Sequence, residues 1–150
     1  MAAASLRERA IRLLARRDHS HSELARKLAD YGGTPEDIEE TLSRMVELGL
    51  LDDRRFAAAW VRGKARGRGA ARLRHDLMQR GVSRDIIEEA LLAETPGSEL
   101  ERARGLWRSR YGSVPADRRE WARQARFLQS RGFSADVIRT LLKENPDEFA

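Results

Sequence analysis

Cysteine is missing altogether from the 150 residues, which removes disulfides, thiol nucleophiles and thiolate metal sites and suits a reducing cytoplasm. Long apolar runs are missing too. No stretch approaches the roughly eighteen consecutive apolar residues that a membrane span needs. The opening MAAASLRERAIR has neither the apolar core nor the cleavage site of a secretory signal, so a cytoplasmic protein away from the membrane is expected. There is no G-x-S-x-G elbow, no Gly-rich phosphate loop after a strand, no kinase motif set and no H-E-x-x-H. These absences argue against an enzyme and against a cofactor.

The three histidines, His19, His21 and His75, do not make up a metal site by their spacing. His19 and His21 flank Ser20 at a turn, and no carboxylate or thiolate stands at ligand spacing. A structural or solvent role is expected for them, and no metal.

What is present is charge and repetition. Hydrophobic residues at 41% and charged residues at 35% are too apolar a mixture for disorder and fit small, heavily solvated helical modules. The net charge of +5 points to an acidic partner, either nucleic acid or a negatively charged protein groove.

GVSRDIIEEALL, from Gly81 to Leu92, recurs as GFSADVIRTLL from Gly132 to Leu142, and more weakly as GTPEDIEETL from Gly33 to Leu42. Thr34, Ser83 and Ser134 stand where a hydroxyl caps free amides ahead of an apolar run of helical period. Those runs are Ile38, Leu42, Met45 and Val46; Ile86, Ile87, Ala90 and Leu91; and Val137, Ile138, Leu141 and Leu142. Before each lies a helix closed by Gly32, Gly81 or Gly132, a residue able to take the left-handed conformation of a helix end. A further helix opens each unit, with Leu6, Ala10, Leu13 and Leu14, then Phe56, Ala59, Trp60 and Gly63, then Leu100, Ala103, Trp107 and Tyr111 along one face.

The fold class is therefore all-α. Three tandem three-helix, helix-turn-helix-like repeats are expected over residues 6–51, 52–93 and 94–149, forming an elongated, curved body because each small module must lean on its neighbours. Their net charges are −1, +4 and +2 in chain order, so the middle repeat is the basic one.

Between Arg54 and Arg74 the chain carries eight basic residues and no acidic one. At about 100° per residue, Arg55, Arg62 and Arg66 fall within roughly 40° of one another, beside the face assigned to Phe56, Ala59, Trp60 and Gly63. Arg68 and Arg72 extend the strip through RGRG into the next helix. Two readings stay open: a solvated face, or a ridge that meets acidic walls or phosphates. On the second reading Arg55, Arg62, Arg66, Arg68 and Arg72 are the candidate partner-binding residues. Gly67 and Gly69 read as a flexible helix–helix turn rather than a phosphate cradle. Asp52 and Asp53 read as the structural cap of the strip's first helix, where a carboxylate accepts amide hydrogen bonds.

The first repeat also has the outline of a helix-turn-helix DNA reader. Its would-be recognition helix carries Glu36, Asp37, Glu39, Glu40 and Glu47 against Arg44 alone, which repels the phosphates that line a major groove.

GLLDDRRFAAAWVRGKARGRGAARLRHDLMQRGVS, from Gly49 to Ser83, resembles the central signature of the RecX regulators: a Gly and Asp-Asp turn, Phe-Ala, a basic helix, Gly, then an aliphatic pair before a Gly. ARFLQSRGFSADVI, from Ala125 to Ile138, looks like that family's third repeat, so the resemblance covers nearly the whole chain. The sequence departs at Leu50, where an aromatic is common in the family; an aliphatic there is expected to leave function untouched. The resemblance implies a monomeric regulator of the recombinase RecA. Such a protein lodges in the groove of the RecA nucleoprotein filament, hinders growth, ATP turnover and strand exchange, and has at most a weak direct hold on DNA.

Overall fold

A computed structural model describes residues 3–143. Residues 144–149, assigned above to the third repeat, lie outside them. Among the described residues there are nine α-helices, one 3-10 turn and no strand. The helices are α1 (Ala3–Arg16), α2 (His21–Asp30), α3 (Pro35–Glu47), α4 (Asp53–Lys64), α5 (Ala70–Gln79), α6 (Arg84–Glu94), α7 (Glu99–Arg110), α8 (Arg118–Ser130) and α9 (Ala135–Leu142). The 3-10 turn, Ala65–Gly67, follows α4.

Local chemistry sets the helix ends. The side chains of Thr34 and Ser134 accept from the backbone N–H groups of Asp37 and Val137, and Ser20 and Ser98 form capping boxes with Glu23 and Glu101. Each supplies an acceptor to an amide with no partner inside its helix. The turns after α2, α5 and α8 pass through Gly32, Gly81 and Gly132, with φ of 105°, 77° and 87°, a region that a side chain disfavours.

The chain divides into two compact units, residues 1–59 with 77–89, and residues 60–76 with 90–150. In the first, Leu6, Ala10 and Leu13 of α1 pack with Leu24, Leu28, Leu42, Met45 and Leu51. In the second, Ala103 packs with Leu128, Phe133, Ile138, Leu141 and Leu142. The division cuts α4, α5 and α6, so it does not follow the repeats.

The hydrogen bonds give the reason. In the first unit the start of α2 sits on the turn after α5: Ser20 Oγ donates to the Arg80 carbonyl at 2.5 Å, and a Cβ on Gly81 would overlap the Ser22 side chain. In the second unit the start of α5 sits on the turn after α8. There the Gly69 N–H donates to the Arg131 carbonyl at 2.7 Å, and a Cβ on Gly132 would overlap the backbone of Arg72. One joint is thus used twice, each time linking a repeat to the next.

Candidate partner-binding site

The buried side of α4 is not the one expected from its aromatics. Phe56, Ala57, Val61 and Ala65 are buried, whereas Trp60 is half-buried and Ala59 and Gly63 are exposed. The core face is turned by about a quarter of the helix circumference. It runs through Phe56, Ala57 and Val61 and continues to Ala65 in the 3-10 turn. Arg55, Arg62 and Arg66 are exposed, and on the helical wheel they lie opposite the buried side rather than beside it.

Asp52 and Asp53 have different partners. Asp52 Oδ1 accepts from the N–H groups of Arg54 and Arg55 at 2.9 and 3.2 Å, which satisfies the first turn of α4. Asp53 Oδ1 accepts instead from the His21 N–H at 2.7 Å, so it serves the first turn of α2.

In the first unit, the Arg55 guanidinium donates to the carbonyls of Gly49 and Leu50 at 2.8 and 3.1 Å, and one of its nitrogens lies 3.4 Å from Asp18. It caps the chain leaving α3, where a cation complements free carbonyls. In the second unit, Arg62 pairs with Glu94 at 3.1 Å. Arg68 and Arg72 both pair with Asp76, whose side chain is only 9% exposed, and Arg72 also donates to the Ser130 carbonyl at 3.3 Å. Arg66 alone of the five has no side-chain hydrogen bond or ion pair among the described residues. Lys64, not among the five, sits 4.7 Å from the centre of the Trp60 ring.

Five arginines of the acid-free run are therefore paired with acids from outside it. Asp18, Asp76, Glu89 and Glu94 supply the counter-charges, and none lies between Arg54 and Arg74. Only Asp76, four residues beyond Arg72 on the same helix, carried a readable signal, the i,i+4 spacing of an ion pair. The RGRG segment joins α4 to α5, and its second glycine has a packing role. Gly69 is buried, and a Cβ there would overlap the Gly132 carbonyl, so the glycine is needed for close backbone approach.

His19 is buried, with Nδ1 3.0 Å from the Arg17 carbonyl and Nε2 2.9 Å from Lys27 Nζ. A carbonyl only accepts and an ammonium only donates, so the proton sits on Nδ1 and Nε2 accepts. Burial pushes the pKa of the ring below its ordinary value. His21 and His75 are exposed. Among the described residues no group of three His, Asp or Glu side chains is placed to hold a metal, and no helix is long and apolar enough to cross a membrane.

Comparison with known proteins agrees with this repeat architecture. Family models for the first, second and third three-helix domains of RecX match residues 7–45, 52–91 and 98–142. The regulatory protein RecX of Leptothrix cholodnii is 49% identical over 139 residues, 93% of this chain and 88% of that protein. That of Halorhodospira halophila is 46% identical over 140 residues, covering 92% and 86%. The crystal structure of RecX from Lactobacillus salivarius shares the fold, with a TM-score of 0.78 at 23% identity over 95% of both chains. A second crystal structure of a regulatory protein RecX gives the same TM-score at 26% identity, over 93% of this chain and 72% of that one. With all three domains matched in order and near-half identity along most of its length, the chain belongs to the RecX family of regulatory proteins.

Proposed function

We propose that this chain regulates the recombinase RecA by binding, with no chemistry of its own. It lodges as a cytoplasmic monomer in the groove of the RecA filament on DNA and hinders filament growth, ATP hydrolysis and strand exchange in recombination and repair. The observation that carries this reading is membership of the RecX family along all three repeats. Two features support it. A body made of repeats suits a partner that itself repeats along an axis, and exposed cations such as Arg62 and Arg66 suit acidic walls or phosphates.

The rival reading, a helix-turn-helix protein that reads DNA directly, meets an electrostatic obstacle. Glu36, Glu39, Glu40 and Glu47 are exposed on α3, and its Arg44 is paired with Glu47 at 3.1 Å.

ATP hydrolysis by RecA on single-stranded DNA tests the proposal. The parent chain is expected to slow it, and the double variant Arg62→Glu, Arg66→Glu to do so roughly tenfold less well, an effect of the size expected when rim charges are reversed. The variant should stay folded, since among the described residues the only ion pair it loses is the partly exposed Arg62–Glu94 contact, worth about 1 kcal/mol. Glu39→Lys with Glu40→Lys is the control and should do less harm. A parent chain without effect on hydrolysis defeats the reading. A double variant as inhibitory as the parent at the same salt makes the strip a solvated face.

A further inference from the structure

Next to Arg66 is a groove that the strip of arginines does not account for. The 3-10 turn and α7 flank a cavity of about 470 Å³, lined by Arg66 and Gly67 from the turn and by Glu101, Arg102, Gly105 and Leu106 from α7. Two cations line it. Among the described residues, the Arg66 side chain makes no hydrogen bond or ion pair. Arg102 donates from one terminal nitrogen to the Gly97 carbonyl at 3.4 Å, and its Nε–H is buried with no partner among the described residues. A buried donor left unpaired is uncommon in folded proteins and calls for an explanation.

The nearby acids do not supply one. Glu101 accepts from the Ser98 N–H at 3.3 Å in the capping box of α7, and Glu99 accepts from the Ala70 N–H at 2.9 Å. Each gives one oxygen to a backbone amide, and Glu99 acts on Arg102 through its charge without bonding the Nε–H.

The geometry points to this groove as a receptor for an acidic side chain on a partner protein, its carboxylate between Arg66 and Arg102 and its apolar stem against Leu106. The planar guanidinium fork matches a carboxylate. The remaining wall favours protein over nucleic acid. A phosphate backbone is a hydrated polyanion that suits exposed ridges, whereas here Gly67, Gly105 and Leu106 leave bare or aliphatic wall beside the arginines, and Glu101 and Ser109 complete the lining. The inference deepens the regulatory reading, since on that reading the acidic side chain belongs to RecA.

Gly105 allows a test that spares the fold. It is exposed within α7, and a Cβ there would meet nothing within 4 Å, so Gly105→Trp fills the groove while replacing a poor helix former. The arginine Nε–H signals of the ¹⁵N-labelled chain are followed by NMR as a peptide of alternating Glu and Leu is added, with inorganic phosphate and oligothymidylate in parallel. The Arg66 and Arg102 signals should move with the peptide and far less with the other two. Peptide affinity should fall about tenfold in Gly105→Trp and in Arg66→Glu. Signals that stay in place with the peptide, an unchanged affinity in Gly105→Trp, or an equal response to phosphate or oligothymidylate each overturn the inference. Binding of the parent to RecA is measured separately. Its absence defeats the regulatory reading and leaves the peptide result standing, whereas a parent that binds RecA but not the peptide defeats the groove alone.

Discussion

The joint between consecutive repeats depends on side chains that are not there, and three glycine-to-alanine changes separate the reasons. Gly32 has φ of 105° but open space where a Cβ would point, so Gly32→Ala bears only the left-handed backbone cost, about 1–2 kcal/mol. Gly69 has no positive φ, but a Cβ there would overlap the Gly132 carbonyl and the Phe133 nitrogen. Gly69→Ala therefore bears only overpacking, about 1–3 kcal/mol. Gly132 combines φ of 87° with overlap on the Arg72 backbone. Its alanine variant should cost the sum, about 2–5 kcal/mol. Urea unfolding measures all three, provided the slope against denaturant is shared, so that midpoints report stability alone. The reasoning fails if Gly69→Ala costs under about 0.5 kcal/mol, the range of an ordinary surface change. It fails equally if Gly32→Ala and Gly132→Ala cost the same.

Phe56 is buried and Trp60 only half so; Phe56→Ala should cost about 3–5 kcal/mol and Trp60→Ala clearly less, in paired thermal melts. Asp76→Asn removes the carboxylate shared by Arg68 and Arg72. Because those side chains are 28% and 44% exposed, water recovers part of the loss, and about 1–3 kcal/mol is expected by chemical denaturation, below the range for a fully buried pair. His19 has a lowered pKa in the folded state, so the unfolded chain binds its proton first and stability falls as the pH drops through and below about 6.5. His19→Gln should flatten that part of a stability-against-pH curve, and an unchanged curve would remove His19 as its source.

Much of this was legible in the sequence because it is local. A hydroxyl before an apolar run and a glycine after one mark helix ends through groups a few residues apart, and Thr34, Ser134, Gly32, Gly81 and Gly132 all occupy those places. The face of α4 was misread because Trp60 carries more apolar surface than Ala57 or Ala65, yet it is those two that are buried. Val46 shows the opposite error, being apolar and in register on α3 yet 51% exposed. The partners of the arginines were hidden for another reason. Asp18 is 37 residues from Arg55, a distance over which no local pattern reaches. The buried Nε–H of Arg102 had no signal at all, since burial is a property of the assembled second unit.

The joint that recurs also sets how the repeats depend on one another. Its side-chain bonds span 60 and 59 residues in the first copy and 58 and 64 in the second, so both copies close loops of similar length at nearly the same entropic cost. The first repeat supplies only the seated half, at α2, and the third only the receiving half, at the turn after α8, while the middle repeat supplies one of each. Such a chain behaves as a row of nearest-neighbour couplings, in which order spreads from one repeat to the next. Removing a terminal repeat leaves one joint intact, whereas disrupting the middle one uncouples both.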